Sequence, residues 1–221
     1  FIPEFEKLTG IKVKYDLLPQ YGLREKIEMD LSMGTQIYDV VWVNFPEPAW
    51  YRNKWLIPLS QFIEDASLTD NEFFKYEGYP KGFIEPDTFD GVGPYGIPVI
   101  GEGHVLMYRK DLFEKYDVKV PTTVDELVDA AAELNKPPAH YGIVLRGSSG
   151  SEYIWQGILA GQGGKYFDEK YEPQLNSVEA VRATDIYCNK LLRQSGPPGA
   201  ANYDWYACQQ LFAGGKAAMF I

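Results

Sequence analysis

Ile11-Lys12-Val13-Lys14-Tyr15, then Leu23, Ile27 and Leu31, then Asp39-Val40-Val41-Trp42-Val43 form the succession that decides the fold class. Ile11, Val13 and Tyr15 alternate with lysines, the period of a strand with one solvated face. Leu23, Ile27 and Leu31 recur at every fourth position and so share one helix face, and Gly34 stands where such a helix stops. Residues 39–43 are a short, continuous apolar run, as expected of a strand buried on both faces of a parallel sheet. Pro46 and Pro48 forbid its continuation. Strand, helix and buried strand make a βαβ unit, and the fold expected from it is an α/β layer structure.

The same alternation resumes further along. Thr123 followed three residues later by Glu126 reads as a helix N-cap, with Leu127, Val128, Ala131 and Leu134 as the apolar face. Residues 141–145 read as a second buried strand. Asn176 and Glu179 read as the cap of a helix running to about Arg193. A last helix is expected from Trp205 to about Ala213, stopped by Gly214-Gly215, and residues 217–221 open a strand. Between these blocks, residues 80–103 are rich in Gly and Pro and lack helical periodicity; 95–99 and 105–108 read as two extended segments joined through 100–103, a crossing between lobes.

Length and charge narrow the function. The chain has 221 residues, 21 Lys and Arg against 31 Asp and Glu, and a net charge of −10. A partner whose recognition requires cationic surface, nucleic acid above all, is a poor fit. No apolar run approaches the roughly 20 residues needed to span a bilayer, and the first residues carry no secretion signal. Cys188 and Cys208 form no metal-type cluster and read as buried helix thiols. The aromatic content is 15%, with 5 Trp, 16 Tyr and 12 Phe, more rings than a core of this size needs.

Several motifs dissolve on inspection. Gly91-Val92-Gly93-Pro94-Tyr95-Gly96 matches G-x-G-x-x-G, but Pro94 lies inside it and an extended segment follows, so it reads as a turn rather than a dinucleotide site. No G-x-S-x-G elbow forms around Ser148, Ser149 or Ser151. With His104 and His140 the only histidines, a triad or a His-rich metal site has few options. No cofactor and no metal is expected. A carboxylate pair for glycoside hydrolysis stays open as the alternative function.

What stands out is polar and aromatic residues just past predicted strand ends, the edge at which α/β sheets bind ligands. Gln20 and Tyr21 follow the first strand; Asn44, Phe45 and Glu47 follow the second. Arg146, Ser148 and Ser149 follow the strand at 141–145, with Tyr153 and Trp155 beyond, and Trp205 and Tyr206 open the last helix. Ring faces for C–H groups beside carboxylates, amides and an Arg fork suit a neutral polyhydroxylated ligand. Packing is the competing reading for each ring, and the favoured one for Trp42.

The chain resembles the extracellular solute-binding proteins, family 1, of ABC importers. The resemblance is carried by Phe5-Glu6-Lys7-Leu8-Thr9-Gly10-Ile11-Lys12-Val13, Tyr95-Gly96-Ile97-Pro98-Val99, Leu106-Met107-Tyr108-Arg109-Lys110-Asp111-Leu112-Phe113, Gly163-Gly164-Lys165-Tyr166-Phe167-Asp168 and Leu211-Phe212-Ala213-Gly214-Gly215-Lys216-Ala217-Ala218-Met219, in that order and spacing. Ile100-Gly101-Glu102-Gly103, Leu145-Arg146-Gly147 and Gly196-Pro197-Pro198-Gly199-Ala200 look more like the mannitol- and sorbitol-binding branch than like maltodextrin binders; residues 151–155 and 203–207 depart from that branch's pattern. The resemblance implies a two-lobed α/β fold that closes on its ligand about a hinge. It also implies a non-enzymatic role, a sugar or sugar-alcohol ligand, delivery to a membrane permease, a periplasmic or cell-surface location and a monomer. Family length implies a chain cut short at both ends. Residues 1–101 would then be lobe I without its first strand and later-returning segment, and 102–221 lobe II without its C-terminal part. Carried over by position, Asn44, Glu102 and Arg146 are the polar ligand contacts.

Overall fold

A computed structural model describes residues 1–18, 20–42, 48–89 and 92–221, without the side chains of residues 20 and 21. These residues form two compact units, Phe1–Gly101 and Glu102–Ile221.

The first unit contains, among its described residues, helices and turns but no strand. Its longer helices are α1 (Ile2–Thr9) and α2 (Gln20–Met33); α3 (Pro48–Arg52), α4 (Ser60–Ile63), α5 (Asn71–Phe74) and α6 (Lys81–Ile84) are short. Helix α2 confirms the face read from Leu23, Ile27 and Leu31: Ile27 is buried, and Gly34 ends the helix with φ of 64°. Trp50 of α3 is buried, and its indole N–H points at Glu28 of α2 at 3.4 Å. Asp30, also buried, gathers the chain after α2. Its carboxylate accepts from the Thr35 hydroxyl and from the amides of Ile37 at 2.9 Å and Tyr38 at 3.2 Å. Those bonds, the Thr35 hydroxyl foremost, hold the Asp30 pKa below the ordinary carboxylate value.

The strands expected at 11–15 and 39–43 do not form among the described residues. Period-two alternation is only half of a strand; the other half is a neighbour whose amides and carbonyls complete a ladder. Here the Val13 amide donates to the Glu6 carboxylate of α1, and Ile11, Tyr15 and Val40 are exposed. Gly91, the start of the G-x-G-x-x-G match, lies outside the described residues, as does residue 90 before it. The rest of that stretch is a turn, with Thr88 bridged to Pro94 and no helix following.

The second unit is a layered α/β body. Its sheet holds β1 (Met107–Tyr108), β2 (Tyr141–Val144) and β3 (Ala217–Phe220) in the order β1-β3-β2, with β3 parallel to β2 and antiparallel to β1. The register pairs Tyr141 with Ala217 and Ile143 with Met219. Helices α7 (Lys110–Lys115), α8 (Val124–Glu133), α9 (Ser151–Gly161), α10 (Val178–Thr184) and α11 (Trp205–Ala213) surround it. Along β2 the side chains split with period two. Ile143 and Leu145 join a core with Leu127, Leu134, Ile158 and Leu191, while Val144 joins Cys208, Ala217 and Phe220. Gly142 is required where α8 crosses β2, because a Cβ there would stand 1.8 Å from the Ala131 carbonyl oxygen.

The helix termini obey local rules. Thr123 caps α8 by accepting from the Glu126 amide at 3.2 Å, but the Glu126 carboxylate reaches back to Thr122 rather than to Thr123. Ser177, not Asn176, caps α10. Helix α11 spans the residues expected of it, with Asp204 accepting from the Ala207 amide at 2.9 Å. From Asp185 to Ser195 the chain continues α10 as a π-helix, burying Ile186, Tyr187, Leu191 and Ser195. Both cysteines are free thiols. Cys208 is buried as expected, whereas Cys188 points outward from the π-helix.

His140, immediately before β2, is buried with Nε2 lacking a partner, beside the Tyr116 ring at 5.9 Å. Burial, and after it the cations of Arg109, Lys115 and Lys136, hold its pKa below the ordinary histidine value, with Asp111 opposing weakly. The unfolded chain therefore takes up this proton first, so stability drains as pH falls through about 6.5 and downward to the lower folded value. Urea midpoints of the wild type and of His140→Gln are expected to converge as pH drops from about 7 to 5; a gap that is constant across this range contradicts a buried neutral imidazole.

Candidate functional site

The candidate site lies at the C-terminal end of β2, where the parallel pair β2 and β3 meets the loop of residues 145–150. Two connections fix this loop. The amides of Gly147 and Ser148 both donate to the Tyr203 carbonyl, at 2.9 and 3.2 Å, tying the loop to the chain entering α11. From the other side, the Tyr187 hydroxyl of the π-helix donates to the Arg146 carbonyl. Gly147 permits the first connection, since a Cβ would come within 2.1 Å of the Ala200 carbonyl oxygen.

Arg146 is the chemically conspicuous member. Its side chain folds over Gly150, the residue with φ of 84° that precedes α9, so closely that a Cβ there would lie 2.2 Å from Nη1. Nε is buried without an acceptor among the described residues. Two of its neighbours, Cys208 and Tyr187, stay neutral, while Asp204 and Glu152 stand close enough to act on those same groups. Burial pushes the Cys208 thiol up to about 11 despite Arg146, and burial drives the Tyr187 phenol well above its ordinary value. A guanidinium left with unused, partly desolvated donors is matched by oxygen acceptors from a ligand.

Around Arg146 the other expected residues sort by position. Trp205, on the first turn of α11, packs against Val144, Cys208 and Phe220, and its ring meets Tyr206 edge-on at 5.4 Å and 83°. Tyr206 is exposed. Tyr153 sits on the first turn of α9, half-buried. Trp155 turns elsewhere: its indole N–H donates to the Thr184 hydroxyl at 3.1 Å and its ring abuts Tyr166, which ties α9 to α10. Glu102 is exposed at the start of the second unit. In the first unit, Asn44, Phe45 and Glu47 lie outside the described residues, as do the side chains of Gln20 and Tyr21 at the start of α2. Among the described residues no group of three or more His, Cys, Asp or Glu could hold a metal ion.

Sequence reasoning missed Tyr187, Tyr203 and Gly150, which support Arg146 rather than resemble a ligand contact. It also passed over an aromatic cluster of the first unit, in which Tyr51 stacks on Phe89 at 4.9 Å and 12° and meets Tyr95 edge-on at 4.8 Å. Beside it, burial raises the Asp87 carboxyl above its ordinary pKa, and Gly96 leaves the room that this carboxylate occupies.

The model of the bacterial extracellular solute-binding protein family matches residues 1–221. A mannitol-binding protein of Pseudomonas aeruginosa is 31% identical, over 98% of this chain and 49% of that protein. Two solved structures resemble the chain throughout. One is an ABC transporter solute-binding protein of Agrobacterium vitis with bound D-mannitol, 30% identical with a TM-score of 0.78, covering 99% of this chain and 52% of that one. The other, from Agrobacterium radiobacter in complex with ribitol, is 29% identical with a TM-score of 0.81, covering 99% and 55%. The chain thus spans about half the length of the relatives it matches.

Proposed function

Because the chain belongs to the bacterial extracellular solute-binding proteins, we propose that it serves as the capturing component of an ABC importer for a sugar alcohol or small sugar. Its fold is the two-lobed α/β fold of that family. Residues 1–101 belong to lobe I and residues 102–221 to lobe II. Ligand bridges the lobes and shifts the population towards a closed state, in which the protein meets a membrane permease in the periplasm or at the cell surface. It works as a monomer, without catalysis and without nucleic acid, for which the net charge of −10 is unsuited.

The observation that carries the ligand class is the Arg146 guanidinium at the strand end, with Nε buried and unmatched. A polyol offers a row of hydroxyl oxygens to such a fork, and its C–H faces suit the rings of Trp205 and Tyr206. Glu102 and Tyr153 complete the lobe II side; Gln20, Tyr21, Asn44 and Glu47 serve from lobe I. Trp155 contributes a ring face only, its N–H being taken. The relatives named above are a mannitol-binding protein and solute-binding proteins crystallised with D-mannitol and ribitol, which favours capture over glycoside hydrolysis.

Thermal melts of the intact protein with D-mannitol, D-sorbitol, ribitol and maltose test this reading. A ligand present at 100 times its Kd adds about 2.7 kcal/mol to the folded state, so at least one polyol is expected to raise Tm by several degrees. A panel in which no sugar or polyol moves Tm removes the carbohydrate assignment.

A further inference from the structure

We infer that Tyr187 is a positioning residue for Arg146: its hydroxyl, delivered by the π-helix, sets the loop from which the guanidinium reaches ligand. The inference rests on Arg146 being a ligand contact, as proposed above.

Four observations converge on it. The Tyr187 hydroxyl donates to the backbone carbonyl of Arg146 itself, the peptide on which the side chain pivots. That phenol is buried, and burial raises its pKa, which favours the protonated form that donates. The next two peptides, Gly147 and Ser148, are held from a second direction by the Tyr203 carbonyl. The guanidinium itself has no acceptor for Nε among the described residues, so its direction depends on how its backbone is held. Without the Tyr187 hydroxyl, one side of this clamp is lost and the Arg146 carbonyl is left without that donor.

Packing alone does not explain why this residue type stands here. Tyr187 is buried with Ile186 and Leu191 in the same core as Ile143 and Leu145 of the β2 strand end. A phenylalanine would fill the core equally well. Only the hydroxyl reaches the loop, and that is the part of the side chain that packing does not require.

The test is a double-mutant cycle on D-mannitol or ribitol affinity, measured by calorimetry and, for weak variants, by ligand-observed NMR at millimolar ligand. Tyr187→Phe keeps the ring, and Ile186→Val is the control that loosens the same turn without touching the loop. Tyr187→Phe is expected to weaken binding about five- to tenfold, the scale of one hydrogen bond. It is expected to weaken it no further in an Arg146→Ala background, and Ile186→Val is expected to leave affinity within twofold. Unchanged affinity in Tyr187→Phe, an equal loss in both Arg146 backgrounds, or an equal loss in Ile186→Val each overturns the positioning role. If Arg146→Ala binds as tightly as the wild type, the assignment of Arg146 fails and the positioning role fails with it; if Arg146→Ala is impaired while Tyr187→Phe is not, only the positioning role fails.

Discussion

Replacing Arg146 by alanine is expected to lower the affinity of the intact protein for the proposed polyol ligand by about a hundredfold or more, with no loss of thermal stability. Hydrogen bonds made by a charged group contribute about 1.5–3 kcal/mol each, so two lost donors account for that factor. Stability behaves differently because the folded protein gives Nε no acceptor among the described residues. Removing a buried donor that has no partner removes a desolvation cost rather than a bond. The pattern is thus asymmetric: binding collapses and Tm in the absence of ligand stays level or rises. Calorimetry and a melt on the same sample measure both, and a variant that binds normally, or one that unfolds, contradicts this account of Arg146.

The second large effect is structural. Gly142→Ala is expected to destabilise the second unit by on the order of 3 kcal/mol, the upper range for overpacking. The added Cβ would meet the Ala131 carbonyl oxygen at 1.8 Å and its carbon at 2.7 Å, both backbone atoms of α8. No side-chain rotation relieves that contact; α8 must withdraw from β2. Gly150→Ala makes the contrast, because there the obstacle is the mobile end of Arg146, and the cost is the left-handed backbone at φ of 84°, about 1 kcal/mol. Urea midpoints distinguish the two, and a Gly142→Ala variant within about 0.5 kcal/mol of wild type contradicts the packing of α8 on β2.

The contrast between the two units explains what could be read from sequence. In the second unit, local and long-range signals agree. The cap at Thr123, the helix from Trp205 to Ala213 and the strands at 141 and 217 are each written in neighbouring residues and confirmed by partners within the unit. In the first, Ile11, Val13 and Tyr15 have the right alternation, but no described strand of the unit lies beside them, and a strand without a ladder is only an extended chain. The π-helix was out of reach for a different reason. Its start at Asp185 reads as a continuing α-helix, and its buried residues Tyr187, Leu191 and Ser195 keep the four-residue spacing of an α-helical stripe, so nothing local marks the change.

The same distinction applies to the candidate site. Arg146 stood out because it directly follows a predicted buried strand, at the edge where α/β sheets bind ligands. Tyr187 and Tyr203 did not, since their contributions are a hydroxyl and a backbone carbonyl directed at a loop distant in sequence. Trp155 shows a limit of the same kind: its place near a strand end is written in the sequence, but the engagement of its N–H by Thr184, which leaves only a ring face, is not.

Titration calorimetry of the intact protein with D-mannitol, ribitol and D-sorbitol, alongside maltose and an aryl glycoside, is the most direct test of the central claim. Capture of a polyol predicts saturable heat with one site per chain for at least one sugar alcohol, and no turnover of the glycoside. Absence of binding heat for every polyol and sugar, or release of aglycone, would contradict it.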